Sequence, residues 1–133
     1  ITFGISAGGK PLVFEMGREK SRLYILAGEN GEVINKNIDL CYGPSIPGNP
    51  YLSEKPRAHF KAFVVNNYII LAYANARTKD KTIISGAMLF NFDGEKLDEI
   101  SFNRPERFWT DKESNFYVQE AGGIKKWKIE KSK

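Results

Sequence analysis

The sequence has very few of the residues on which disulfides, metal sites and nucleophilic catalysis depend. Its 133 residues include one cysteine, Cys41, and one histidine, His59. A single cysteine cannot form an internal disulfide and matches no zinc-ligand spacing. No segment approaches the ~20 consecutive apolar residues of a membrane-spanning helix. We therefore predict no metal site and no cofactor, and we exclude disulfide-stapled and zinc-finger folds.

The motifs of common enzyme classes are also missing. There is no G-x-S-x-G, no H-E-x-x-H and no sialidase-type Asp box. The stretch Gly8-Gly9-Lys10 lacks the other residues of a phosphate loop and is interpreted as a turn. Asp98 and Glu99 are adjacent carboxylates, but successive residues of a strand point to opposite faces. They are predicted to be solvated residues of an outer strand, and no catalytic residue is predicted.

Composition indicates one globular domain with a modest positive charge. Hydrophobic residues make up 41% and charged residues 27% of the chain, which is typical of a folded domain of this length. The net charge is +4, and much of it comes from C-terminal lysines. These lysines are interpreted as a solvated basic edge, and no nucleic-acid partner is predicted.

The hydrophobic pattern indicates strands, because helical periodicity is almost absent. Short alternating or continuous apolar runs are separated by Gly, Asn, Asp and Lys clusters. The predicted strands are 2–7, 11–16, 21–27, 32–39, 58–65, 68–76, 82–91, 95–102, 106–110, 114–120 and 123–130.

One phrase occurs twice along the chain. Residues 22–40 and 88–102 each contain a strand, then Asn30-Gly31-Glu32 or Asp93-Gly94-Glu95, then a second strand. Asn-Gly and Asp-Gly accept the positive φ angles of tight hairpins. We therefore expect two equivalent outer hairpins in a repeat architecture.

The strands fall into blade-like units of about 1–40, 57–102 and 105–130, with a long loop at 41–57. Consecutive four-stranded antiparallel units are typical of β-propeller blades. The predicted fold is therefore all-β, with about two and three-quarter blades of a β-propeller in a single unit, 1–133. A last unit with three strands is expected where the final blade is closed by a strand from the other end of a longer chain.

A family resemblance supports the same fold. The segment FNFDGEKLDEISFNRPERFWTDKESNFYVQEAGGIKKWKIE resembles the closing part of the TolB-like six-bladed β-propellers of Bacteroides-type bacteria. The similar elements are Asp93-Gly94, Ile100-Ser101-Phe102, the turn 111–115 and Phe116-Tyr117-Val118. The resemblance implies a C-terminal half of such a propeller, and a start at Ile1 inside a strand-like segment fits a fragment. It also implies a periplasmic or surface lipoprotein, and it supplies no catalytic residues.

The candidate ligand face combines the proline-rich loop 41–57 with the first strands of the later units. Long loops on rigid β scaffolds are common binding sites, and arginine binds anionic oxygens in pairs. We expect Arg57, His59 and Arg107 to converge at one rim. The alternative is structural: His59 at the surface, and Trp109 and Trp127 packed between blades. The predicted ligand-binding residues are Tyr42, Tyr51, Arg57, His59, Arg107 and Trp109.

These features favour a non-catalytic binding or scaffolding module over an enzyme. The expected partner is a protein or a small anionic or sugar-like ligand. The alternative is a propeller-type hydrolase or lactonase with acidic residues and His59 around an axial metal. Open blade edges and an uncovered blade face also predict self-association.

Overall fold

The computed structural model describes residues 2–7, 10–17, 20–27, 32–41, 58–80, 82–111 and 114–129. These ranges contain eleven strands and no helix, arranged as three antiparallel sheets. Sheet A consists of β1 (Thr2–Ala7), β2 (Lys10–Met16), β3 (Ser21–Ala27) and β4 (Glu32–Ile38). Sheet B consists of β5 (His59–Val65), β6 (Tyr68–Arg77), β7 (Ile83–Phe90) and β8 (Lys96–Ser101). Sheet C consists of β9 (Pro105–Thr110), β10 (Asn115–Glu120) and β11 (Gly123–Lys128).

Within every sheet, each strand pairs with its neighbours in sequence. The orders are β1-β2-β3-β4, β5-β6-β7-β8 and β9-β10-β11. The predicted all-β antiparallel fold is confirmed, as is the division of the strands into groups of four, four and three. The bounds of each strand lie within two residues of those predicted.

Sheet B lies in the middle of a three-layer stack. Its β6 sends Ile69, Leu71 and Tyr73 into a core shared with β2 and β3 of sheet A. The alternate residues Ile70 and Ala72 enter a second core, shared with sheet C. Because both faces are covered, β6 has a nearly continuous apolar sequence, as is typical of strands that are buried on both sides.

The first strands of the three sheets run side by side. The central one, β5, contacts both β1 of sheet A and β9 of sheet C. The last strands, β4, β8 and β11, therefore lie at the opposite margin of the stack. We call these two margins inner and outer.

The two kinds of turn in sheet B have different geometry. Asn66 and Asn67 have φ angles of 50° and 65°, the two-residue turn that matches the twist of a hairpin. The β7–β8 turn encloses residues 92–94 between Asn91 and Glu95, whose main chains are hydrogen-bonded. Of Asp93 and Gly94, only Gly94 has a positive φ angle, which is 84°. The Gly94 N–H donates to the Asn91 carbonyl at 3.1 Å. This is the three-residue loop with a left-handed glycine, rather than the tightest hairpin.

Both repeated phrases form outer hairpins, as predicted. Residues 23–26 of β3 pair with residues 33–36 of β4, and β7 pairs with β8 through Met88–Glu99 and Leu89–Asp98. The Asn30-Gly31 turn lies outside the described residues. Trp127 packs between sheets B and C, 5.2 Å from the ring centre of Phe102, as the structural alternative expected. Trp109 does not share that position, because it pairs with Tyr117 on the other face of sheet C.

Candidate binding surface

The face of sheet C that points away from sheet B carries an aromatic stack. Trp109 of β9 and Tyr117 of β10 are paired across the sheet, with ring centres 5.3 Å apart and planes 9° from parallel. The Arg107 guanidinium lies over the Trp109 ring, 5.7 Å from its centre. We call these three residues the aromatic face.

Polar contacts at the β9–β10 turn hold the stack in place. The Tyr117 hydroxyl donates to the Asp111 carboxylate at 2.6 Å. Asn115 donates to the same carboxylate through its backbone N–H and its side-chain amide, at 3.1 and 3.0 Å. The sequence interpretation did not include Asp111 or Tyr117 in the site. The sequence feature that could have indicated them is the position of Trp109 and Asp111 just before a turn and of Tyr117 just after it.

The aromatic face has the chemistry of a stacking platform. Trp109 and Tyr117 are half-buried, and Arg107 is exposed. The two rings stack on each other and both residues remain partly exposed, so the exposed part of the pair can contact planar or apolar ligand surfaces at little entropic cost. The guanidinium adds a fork of donors for carboxylate, sulfate or hydroxyl oxygens. The surface therefore suits a sugar ring or a small anion.

The structure separates the predicted site residues. Arg107 and Trp109 lie together, as the same-face positions i and i+2 of a strand require. His59 instead stacks on Phe108, with ring centres 6.4 Å apart and planes 6° from parallel. Since Phe108 and Arg107 point to opposite faces of β9, the expected convergence of His59 with Arg107 is wrong. Tyr42, Tyr51 and Arg57 lie outside the described residues.

The carboxylates of the outer strand behave as the sequence predicted in one respect. Asp98 pairs with Leu89 and Glu99 with Met88, so the two side chains point to opposite faces, and both residues are exposed. Glu99 also accepts a hydrogen bond from the Tyr73 hydroxyl at 3.0 Å. Burial, followed by the charge of Glu99, raises the pKa of the Tyr73 phenol well above its usual range.

Among the acidic residues that the structure describes, Glu120 is the least exposed. The residue is 6% exposed, forms an ion pair with Lys125 at 2.9 Å and accepts the Asn103 N–H at 2.7 Å. The Lys125 contact, and then the Asn103 N–H, lower the pKa of Glu120. Asp111 and Glu120, the buried or half-buried carboxylates among the described residues of 105–129, thus both accept hydrogen bonds from protein donors.

The described ranges contain neither a metal-binding cluster nor a membrane-spanning helix. No group of three or more His, Cys, Asp or Glu side chains there has the arrangement of a metal site. No helix there is long and apolar enough to cross a membrane.

No protein-family model, no curated protein and no solved structure matches this chain.

Proposed function

We propose that the chain is part of a β-propeller that acts as a non-catalytic binding or scaffolding module. The supporting observation is the stack itself. Three consecutive antiparallel sheets pack face to face, and their first strands run side by side along one margin. Radially repeated sheets with adjacent inner strands are the arrangement of propeller blades.

The proposal places the chain with the TolB-like six-bladed propellers, as their C-terminal half. Sheets A, B and C are then successive blades, and the outer hairpins β3–β4 and β7–β8 are equivalent repeats. The three-stranded sheet C is the blade that a strand from elsewhere completes. A periplasmic or surface location goes with this assignment.

The ligand surface we propose is the aromatic face, and the ligand class is anionic or sugar-like. Trp109 and Tyr117 supply the stacking surface, and Arg107 supplies donors to oxygen atoms. The contacts of Asp111 and Glu120 favour binding over acid–base catalysis. General acids and bases need a carboxyl that can exchange a proton with substrate, whereas these two already accept hydrogen bonds from Tyr117, Asn115 and Asn103.

A binding screen with paired variants tests the proposal. Neutral and uronic-acid oligosaccharides are titrated against the protein, and affinities are measured by calorimetry. For a ligand that binds, Trp109→Ala should weaken binding about tenfold, the loss of one stacking contact. Arg107→Lys should weaken acidic sugars more than neutral ones, because lysine keeps the charge but loses the planar fork.

Arg22→Ala is the matched control, because Arg22 is a half-buried arginine of sheet A and should not affect binding. If Trp109→Ala and Arg107→Lys leave every affinity unchanged while circular dichroism shows an intact fold, the aromatic face is not the ligand site. A rise in melting temperature with a divalent metal would favour the hydrolase alternative, since a ligand of the native state stabilises it.

A further inference from the structure

A cavity lies where the chain leaves β4 and crosses from sheet A to sheet B. It has a volume of about 290 Å³, just below the ~300–1,000 Å³ of typical small-molecule pockets. Its wall combines three cationic side chains with one carboxylate, one amide and one thiol. These residues are Lys20, Arg22, Lys79, Asp39, Asn37 and Cys41.

The crossing segment fixes the position of the cavity. Leu40 is fully buried in the core between sheets A and B. Cys41 then pairs with Arg77 at the end of β6: the Cys41 N–H donates to the Arg77 carbonyl at 2.7 Å, and the Arg77 N–H donates to the Cys41 carbonyl at 3.1 Å. Cys41 and Ile38 are buried and line the cavity, so they supply the apolar part of its wall.

Two hydrogen-bonded turns hold the lysines of the cavity. The Lys20 carbonyl accepts the Gly17 N–H at 3.0 Å, and a Cβ at position 17 would collide with that carbonyl. Lys79 lies in the turn after β6, which closes where the Thr78 N–H donates to the Thr82 carbonyl at 2.9 Å. One lysine therefore comes from each sheet, and both residues are exposed.

The cations of the cavity outnumber its carboxylate. Three positive side chains and Asp39 give the lining a net charge of +2. Lys79 pairs with Asp39 at 3.8 Å, but both side chains are mostly exposed, and such pairs contribute little to stability. Glu15 is the cross-strand neighbour of Arg22. Neither Arg22 nor Lys20 takes part in an ion pair among the described residues, so both are available to an anionic ligand.

We infer that this cavity binds the phosphate group of a small phosphate monoester. The second pKa of such a group is about 6, so at pH 8 its charge matches the excess charge of the lining. The Arg22 guanidinium is suited to two phosphate oxygens at once, and Lys20 and Lys79 act as point charges. The organic part of the ligand lies against Ile38 and Cys41.

The phosphate site is separate from the aromatic face. It uses sheets A and B alone, so it depends neither on Arg107 nor on the strand that completes sheet C. An oligosaccharide is too large for a cavity of this volume. Arg22→Ala should therefore remove phosphate binding here and leave oligosaccharide binding at the aromatic face unchanged, which makes the failure of one proposal distinguishable from the failure of the other.

The test is an NMR titration with methyl phosphate at pH 8 and low, constant ionic strength, because salt screens exposed charges. We expect saturable amide shifts confined to residues 20–22, 37–41 and 76–80. Methyl sulfate has a similar shape but a single charge, and it should bind at least about fivefold more weakly. Equal affinity for the two esters would overturn the inference, since the site would not recognise a doubly charged group.

Charge variants test the assigned residues. Lys20→Gln/Arg22→Gln should weaken methyl phosphate binding by about tenfold or more, because it removes two charge-assisted contacts. Lys20→Gln alone alters only an exposed side chain and should weaken binding by about threefold, which keeps the test valid if the double variant does not fold. Asp39→Asn should strengthen binding by about twofold, because it removes a repelling carboxylate and releases Lys79.

Lys126→Gln/Lys128→Gln is the matched control, because it removes the same charge from two exposed lysines of sheet C. It should leave the affinity unchanged, as should Arg107→Lys. Shifts that do not saturate and spread over the surface lysines would overturn the inference, and so would shifts centred on Arg107. The same holds if Lys20→Gln/Arg22→Gln binds methyl phosphate like the wild type while circular dichroism shows an intact fold.

Discussion

β6 and β10 are the second strands of sheets B and C, and they differ in how many of their faces are covered by a neighbouring sheet. In β6, consecutive residues 69–74 are all buried, because sheet A covers one face and sheet C the other. In β10, Phe116 and Val118 are buried, whereas Tyr117 and Gln119 are only half-buried. The second strand of the central sheet is apolar over residues 69–74, whereas the second strand of the end sheet alternates.

This difference identifies the sheet faces that another molecule can still contact. Both faces of sheet B are packed in the two cores. Among the described residues, sheets A and C each pack one face against sheet B, and their other faces retain large, partly exposed side chains such as Leu26, Val33 and Trp109. The aromatic face belongs to sheet C, at the end of the stack.

The largest expected effect comes from truncating a side chain of the central strand. Leu71 is fully buried in the core between sheets A and B. Leu71→Ala should lower the free energy of unfolding by about 2–5 kcal/mol, through lost burial and the cavity left behind. Urea denaturation followed by tryptophan fluorescence measures the change.

Ile124→Ala is the control in the end sheet. Ile124 is 63% exposed, and exposed substitutions usually change stability by no more than about 0.5 kcal/mol. Similar losses in the two variants would mean that sheet B is not covered on both faces as described.

The free face of sheet A gives the next largest effect, on association. Leu26 and Val33 are cross-strand partners and are 42% and 53% exposed. If the free faces of sheets A and C meet between molecules, the mass measured by light scattering should rise with protein concentration in the micromolar range. Leu26→Glu/Val33→Lys should restore the monomer, because it replaces the apolar pair with an ion pair that still suits a sheet.

Ile83→Glu controls for a change of surface charge, since Ile83 is as exposed as Leu26, at 42%, and lies in β7 of the central sheet. It should leave the association unchanged. A wild-type protein that stays monomeric across the concentration range would count against open blade faces.

Local sequence determined most of the fold in advance. The two-residue Asn66-Asn67 turn and the Asp93-Gly94 pair punctuate apolar runs of strand length, so strand bounds and hairpin pairing followed from residues close in sequence. The stacking of the sheets is also reflected in the sequence, because the continuous apolar run of β6 indicates a strand buried on both faces. The precise loop at 91–95 was not predicted, since Asn91 caps it with its side chain, accepting from Asp93 and Glu95.

The candidate site was less predictable because it depends on which face of each strand points where. Strand alternation was enough to place Arg107 and Trp109 together. Excluding His59 from this group required knowing that β5 packs against the other face of β9, where His59 contacts Phe108. The packing of one sheet against another depends on side chains that are far apart in sequence.

The smallest expected effects are in pH dependence, and the two sheets should differ in sign. In sheet B, the raised pKa of Tyr73 adds stability that is present below the usual tyrosine pKa of about 10 and is lost as the pH rises through the folded-state pKa. In sheet C, the lowered pKa of Glu120 adds stability that is present above the usual glutamate pKa of about 4.3. That contribution is lost as the pH falls through the lower, folded-state pKa.

Tyr73→Phe and Glu120→Gln separate the two contributions, because each variant keeps the size of its side chain and removes the titration. The free energy of unfolding is measured by denaturant titration across the acid and alkaline limbs. The gap between wild type and Glu120→Gln should be full at neutral pH and should close on the acid limb, whereas the gap for Tyr73→Phe should change on the alkaline limb alone. Gly86 leaves room for the Tyr73 phenol, because a Cβ at position 86 would come within 2.9 Å of the phenol oxygen. Tyr73→Phe therefore relieves no existing clash. If the Glu120→Gln gap persists unchanged in acid, the Lys125 pair does not stabilise the end sheet, and the stability of sheet C comes from its apolar core alone.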